Sequence, residues 1–198
     1  MSRDVLRKQL LQQRAALSAE YVKEHSQKIS DVLVKQPPWM EATTIGIYLS
    51  IKNEVDTRPI LEAIWESGKK AYAPIIRHCE ERSDVAIQYL AFAHYTPTTP
   101  LSKNRFGILE PLSPEFFPQE HLDLVLVPLV GFDTQGNRLG MGAGYYDRTF
   151  AFLNTMPRPT QPLLVGLAYE LQKIDQLANE AWDVPLNAIV TEEKAYFV

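Results

Sequence analysis

The strongest constraint on the fold is a change of hydrophobic period between residues 44 and 76. Thr44-Ile45-Gly46-Ile47-Tyr48-Leu49 is short, β-branched and nearly unbroken in apolar character, the pattern of a strand buried on both faces. Thr57 followed by Pro59 then opens a helical stretch through Trp65, Gly68 closes it, and Lys70 to Ile76 returns to strand character. Strand, helix and strand within about thirty residues predict a parallel pair joined by a right-handed crossover. The expected class is therefore α/β: three layers, with a mostly parallel central sheet flanked by helices, Rossmann-like.

Upstream, Met1 to Ala19 carries Arg3, Arg7, Lys8 and Arg14 against Asp4, a balance that also suits an organelle transit peptide. Its apolar positions Val5, Leu6, Leu10 and Leu17 continue in phase as Val22, Ile29 and Leu33, which favours two helices joined at Ser18. Pro37-Pro38 is expected to stop the second. Downstream, Arg77 to Asp84 is polar and reads as a loop, and Val85 to Ala91 as a strand at a sheet edge. Pro97, Pro100, Pro111, Pro114 and Pro118 make Thr96 to Gln119 an irregular connector, held down by Phe106, Ile108, Phe116 and Phe117. Leu122 to Leu129 reads as the central strand, Leu163 to Ala168 as a second, and Ala188 to Thr191 and Ala195 to Val198 as short terminal ones. A single domain over residues 1–198 is expected.

Twenty basic against twenty-four acidic side chains give a net charge of −4, which disfavours a role in coating nucleic acid. The longest apolar run, Leu124 to Phe132, is nine residues and contains Pro128, against about 20 for a membrane span. Cys79 is the one cysteine, so there is no internal disulfide, and neither C-x-x-C nor H-E-x-x-H occurs. The four histidines show no ligand or relay spacing. A reducing, cytoplasmic location fits.

Five of the nine glycines lie between Gly131 and Gly144. After the strand Leu122 to Leu129 come the turn Asp133 to Asn137, the run Arg138-Leu139-Gly140-Met141-Gly142-Ala143-Gly144, and helical character from Tyr145 to Leu153. Alternate glycines let backbone N–H groups approach an anion, and a helix N-terminus and Arg138 would add positive charge. The run is neither a Walker A motif nor G-x-G-x-x-G, so phosphate binding competes with a plain structural turn. Tyr145 and Tyr146 can offer an aromatic face to a flat ligand, although one of two adjacent tyrosines usually packs inward. Asp147, in the first helical turn, suits either a dipole partner or a holder of nucleotide-bound Mg²⁺.

The run Asn137 to Arg148, preceded by Val127-Pro128-Leu129-Val130-Gly131-Phe132-Asp133, strongly resembles the 5-formyltetrahydrofolate cyclo-ligase family, also called 5,10-methenyltetrahydrofolate synthetases. Tyr48-Leu49-Ser50 with Glu54, Arg105-Phe106-Gly107-Ile108 with Glu110-Pro111, and Trp182-Asp183-Val184-Pro185-Leu186 extend the resemblance over nearly the whole chain. It implies ATP- and Mg²⁺-dependent conversion of 5-formyltetrahydrofolate to the 5,10-methenyl compound with release of ADP and phosphate. By the same resemblance, Arg3, Asp4, Val5, Leu6 and Arg7 contact ATP together with Arg138, Leu139, Gly140, Met141, Gly142, Ala143, Gly144, Tyr145 and Tyr146. Leu49 and Glu54 line the folate site, bordered by Phe106, Gly107 and the tyrosine pair. Arg138 and Tyr146 are the expected catalytic residues, and Asp147 and Asp183 the metal contacts. Some members carry basic residues where this chain has Met141 and Ala143, which shifts the phosphate charge onto Arg138, Arg148, the amino-terminal arginines and Mg²⁺. A monomer is expected, with no nucleic-acid or membrane partner. A non-catalytic nucleotide- or folate-binding module on the same fold and a sugar-phosphate isomerase are the alternatives.

Overall fold

The computed structural model describes residues 2–79, 87–113 and 115–198. Two helices lead, α1 (Arg3–Ala15) and α2 (Ala19–Leu33), divided at Ser18 as their shared apolar phase predicts. Ser2 and Ser18 cap them, accepting from the Val5 and Tyr21 amides at 3.4 and 3.1 Å, which satisfies first-turn N–H groups that have no intrahelical partner. Helix α2 ends ahead of the proline pair, and Pro37-Pro38 open the short helix α3 (Pro37–Glu41) instead of stopping α2. A missing N–H costs nothing in a first turn.

Strand β1 (Thr44–Ile47), helix α4 (Arg58–Glu66) and strand β2 (Lys70–Cys79) form the expected crossover unit, with β1 and β2 parallel. Strand β2 continues through Arg77, where a loop was expected, because β3 (Ile87–Tyr95) pairs antiparallel along its full length and sets Arg77 opposite Tyr89. The edge strand expected over Val85 to Ala91 is described from Ile87, and Val85 and the rest of segment 80–86 lie outside the described residues. The proline-rich connector is less irregular than expected, since β4 (Leu101–Lys103) and β5 (Leu109–Pro111) make a hairpin. Its turn is held by Asn104, whose Oδ1 accepts from the amides of Phe106 and Ile108 at 2.9 and 3.0 Å. The remaining elements are β6 (Leu124–Pro128), the small hairpin β7 (Gly131–Phe132) and β8 (Arg138–Leu139), α5 (Tyr145–Thr149), β9 (Leu163–Leu167), β10 (Ala188–Val190) and β11 (Ala195–Phe197).

The seven-stranded sheet runs β11-β10-β9-β6-β1-β2-β3, with β10, β9, β6, β1 and β2 parallel and an antiparallel strand at each edge. Alternation along β6 separates two cores. Leu124 and Leu126 meet Ile29 and Leu33 of α2 and Ile60 and Ile64 of α4, while Val125 and Val127 meet Phe92, Phe150 and Leu186 on the opposite face. Each of those isoleucines is fully buried, which contributes about 1.5–3 kcal/mol apiece. Helices α2 and α4 cover the first face, and short helical and irregular segments cover the second.

Chain direction then places the crevice. From β1 the crossover leads to β2 on one side, and from β6 it leads to β9 on the other, so the carboxyl ends of β1 and β6 flank the point where strand order reverses. Open α/β sheets bind ligands at such a point. Helix α1 packs beside it through Leu6 and Leu10, whereas Val5 is 56% exposed and not part of the apolar seam. A Cβ on Gly131 would lie 2.5 Å from Leu10 Cδ1, so that glycine permits the close approach of α1. Among the described residues no helix is long and apolar enough to cross a membrane.

Candidate active site

A cleft of about 360 Å³ opens at the carboxyl ends of β1 and β6. Tyr48, Leu49 and Glu54 follow β1 into one wall, and Pro128 and Leu129 come from the end of β6. Gly140, Met141, Ala143, Gly144, Tyr145, Tyr146 and Asp147 form the opposite side, with Arg138 among them. Phe106, Leu109 and Glu110 supply a rim from the β4–β5 hairpin, and Phe106 is 55% exposed. Gly107 shapes the hairpin turn at φ 76° without lining the cleft.

The glycine loop leaves a rigid turn. Asp133 is fully buried and accepts from the amides of Gln135, Asn137 and Leu177 at 3.0–3.1 Å, so its carboxylate is structural. Of the three loop glycines only Gly142 and Gly144 have positive φ, 95° and 67°, and Gly140 does not need glycine for that reason. Leu139 is fully buried beneath the loop. Among the described residues, the N–H groups of Gly140 to Gly144 find no acceptor in the protein. The helix that follows is five residues, then a 3₁₀ turn from Ala151 to Asn154, so its dipole is small and any anion attraction rests on the free amides.

Arg7 and Arg148 donate to carbonyls of this loop, and Arg138 and Arg3 bond to the segments beside it. Arg138 is buried, donating through Nη2 to Asp147 Oδ1 at 2.5 Å and through Nη1 to the Val184 carbonyl at 2.6 Å. Burial lowers its pKa, and Asp147 and Asp183 oppose that shift. Both terminal nitrogens are thus engaged within the protein. Arg148 donates to the carbonyls of Ala143 and Gln88, each at 2.7 Å, and Tyr145 OH donates to Gln88 Oε1 at 2.6 Å. From α1, Arg7 Nε reaches the Gly140 carbonyl at 2.8 Å and its Nη1 pairs with Asp4, while Arg3 bonds Asp183 Oδ2 at 2.5 Å. The amino-terminal helix and the glycine loop, 133 residues apart in the chain at this contact, therefore meet.

Glu54 is 7% exposed, its Oε2 accepts from the Ile51 amide at 3.0 Å, and its Oε1 lies 3.8 Å from Arg14 Nη2. Burial raises its pKa, opposed by the Ile51 amide, Arg14 and Lys52. Across the cleft, burial and then Glu54 push the Tyr146 phenol far above its ordinary value, so it remains a neutral donor. Arg14 and Glu110 were not singled out as site residues from sequence. The available signal for Arg14 was its place four residues after Leu10 on the apolar stripe of α1, where an arginine must be buried.

The donor set can be tested against Mg²⁺. Asp147 and Asp183 each give one oxygen to an arginine and flank Val184, whose amide donates to Asp147 at 3.2 Å. Among the described residues no cluster of three or more His, Cys, Asp or Glu could form an all-protein cage. Two hard carboxylates without further ligands fit a Mg²⁺ ion that arrives on phosphate oxygens.

A switch-point cleft lined by free loop amides and aromatic walls places the chain in a class, the α/β proteins that take a ligand at the carboxyl ends of a mostly parallel sheet. Within that class, the chain belongs to the 5-formyltetrahydrofolate cyclo-ligase family, whose model matches residues 1–192. It is 37% identical over 187 residues to the 5-formyltetrahydrofolate cyclo-ligase of Escherichia coli K12, covering 93% of this chain and 97% of that protein. The cyclo-ligase of Haemophilus influenzae is 35% identical, with 93% and 94% covered. The Aquifex aeolicus 5,10-methenyltetrahydrofolate synthetase structure matches with TM-score 0.81 at 31% identity, over all of this chain and 93% of that one. That of Mycoplasma pneumoniae matches with TM-score 0.72 at 32% identity, over 97% and 99%.

Proposed function

We propose that this chain converts 5-formyltetrahydrofolate and ATP into 5,10-methenyltetrahydrofolate, ADP and phosphate within the cleft between β1 and the glycine loop. The observation that carries the reading is the juxtaposition of unpaired Gly140–Gly144 amides with an apolar and aromatic wall that holds one buried carboxylate. The chemical obstacle is that N10 must attack an amide-like formyl carbon whose oxygen leaves poorly. ATP supplies the phosphoryl group that turns this oxygen into a phosphate leaving group, and Mg²⁺ at Asp147 and Asp183 would neutralise the phosphates.

The protein's work is alignment and charge stabilisation. Loop amides and Arg7 lie along the phosphate side, and Arg138 orients Asp147 and adds positive potential from beneath. Tyr145, Tyr146, Leu49 and Phe106 present faces for the pterin, and Glu54 offers an acceptor for its N–H edge. No side-chain nucleophile is required. Both walls come from one chain, so a monomer working as a single domain suffices, and a folate-converting role suits a cytoplasmic location.

Purified protein with Mg-ATP and 5-formyltetrahydrofolate should form the methenyl product, followed by its ultraviolet absorbance, with one phosphate released per turnover. Ligand uptake without phosphate release would identify a binding module instead, and turnover without nucleotide would favour an isomerase.

A further inference from the structure

The guanidinium of Arg14 has a position that packing does not explain. It is 2% exposed in the last turn of α1, on the face that otherwise carries Leu6 and Leu10. Nη1 donates to the Leu129 carbonyl at 3.3 Å, but Nη2 is a buried donor with no hydrogen-bond partner, facing Glu54 Oε1 at 3.8 Å. A methionine or leucine would fill such a site without the cost of desolvating a charge. Glu54 in turn stands where the 360 Å³ cleft meets a second cavity of about 440 Å³, and it lines both.

The loop that presents Glu54 is tied to the same end of α1. Lys52 and Asn53 are left-handed at φ 49° and 57°, an uncommon backbone for side-chain-bearing residues. Asn53 Nδ2 donates to the carbonyls of Arg14 and Leu17 at 3.3 and 3.1 Å, and Tyr169 OH donates to the Glu54 carbonyl at 3.1 Å. The side chain of Glu54 and, through Asn53, its loop are thus referenced to α1, the helix that also carries Arg7 to the glycine loop, while Tyr169 holds the Glu54 carbonyl.

We infer that Arg14 is a positioning residue for folate recognition, its buried guanidinium fixing the Glu54 carboxylate at the cleft wall as acceptor for the pterin N–H edge. The inference rests on the cyclo-ligase reading above. The groups that face Glu54 are Arg14 from α1, Lys52 from its own loop, and the phenols of Tyr48, Tyr146 and Tyr169 from the elements around it. Arg14 and Lys52 are the cations of this set, and only Arg14 is buried. Without it, protonation of Glu54 moves to higher pH and the acceptor is lost over more of the working range.

The test compares wild type, Arg14→Met, Arg14→Lys, Glu54→Gln and Arg14→Met/Glu54→Gln by calorimetric titration of 5-formyltetrahydrofolate, calorimetric titration of ATP, and pH profiles of kcat/KM for folate. Arg14→Met should weaken folate binding by about tenfold or more, leave ATP affinity within about twofold, and move the acid limb to higher pH. Arg14→Lys should restore most of the affinity and the limb. Because Arg14 acts through Glu54, the double variant should bind folate no worse than Glu54→Gln alone, and this arm holds even where Arg14→Met folds poorly. A double variant clearly weaker than Glu54→Gln, or a folded Arg14→Met with wild-type folate affinity and an unmoved limb, overturns the positioning role. Wild-type protein that binds no folate removes the cyclo-ligase reading itself, and this inference with it.

Discussion

Replacing Asp147 by asparagine separates two roles that the site gives one carboxylate. The Arg138 side chain is 5% exposed and that of Asp147 21%, at 2.5 Å. The amide keeps an oxygen for the Val184 N–H and for Arg138, but it removes the charge opposite a buried guanidinium. Removing one partner of a buried pair costs about 3–5 kcal/mol. Partial solvent access at Asp147 and the surviving hydrogen bonds reduce the expected loss to about 2–3 kcal/mol. At about 2–4 °C per kcal/mol for a chain of this size, the melting temperature should fall by about 4–12 °C. Thermal melts without nucleotide or metal read this ion-pair role alone. Turnover against Mg²⁺ at fixed ATP reads the other role: a metal contact predicts a raised Mg²⁺ requirement and partial recovery at high Mg²⁺. A melt within about 1 °C of wild type would refute the ion-pair reasoning, and an unchanged Mg²⁺ dependence would return Asp147 to a purely structural part.

Three further outcomes are expected. Gly142→Val should lose more ATP affinity than stability: its Cβ would meet Arg7 at an ordinary 3.6 Å, so the stability cost is the positive φ, about 1–2 kcal/mol, and wild-type ATP affinity in the folded variant would sink the cradle. Arg3→Ala/Arg7→Ala should weaken ATP binding at least about tenfold and folate binding much less, as measured by titration at fixed salt; equal ATP affinities would make the two arginines only structural ties. At Asp123, burial acts to raise the carboxyl pKa, but hydrogen bonds from the amides and hydroxyls of Thr43 and Thr44 outweigh it and hold it below its usual value. Its stabilisation is therefore present above about pH 4 and lost as pH falls through the lower folded-state value, so wild-type melting should drop more steeply with acid than that of Asp123→Asn, and parallel curves would contradict the assignment.

The fold was legible where period and punctuation agreed. Ile45 and Ile47, the break at Ser18 and the closing Gly68 each have one physical solution, and the parallel β1–β2 unit follows from them. Legibility failed where the deciding partner lay elsewhere in the chain. Arg77 is polar, yet it is strand because Tyr89 and its neighbours on β3 supply a ladder that no local window contains. Pro37-Pro38 were misread for a different reason: proline forbids a helix interior but favours a first turn, and sequence alone does not say which side of the boundary a pair occupies.

At the candidate site the same distinction decides what could be read. The glycine spacing announces a loop whose backbone must be bare, but not that Arg138 lies beneath it with both terminal nitrogens committed to Asp147 and Val184. Nor does a basic amino terminus reveal that its arginines share one helical face and divide by their position along the axis. Arg3 and Arg7 reach Asp183 and the glycine loop, whereas Arg14, four residues beyond Leu10, is carried inward to Glu54. One thirteen-residue helix, about 20 Å long, thus touches both sides of the cleft. The charge that sequence offers as a uniform basic patch is resolved along the helix into separate contacts, Arg3 with Asp183, Arg7 with the glycine loop at the Gly140 carbonyl, and the buried Arg14 with Glu54.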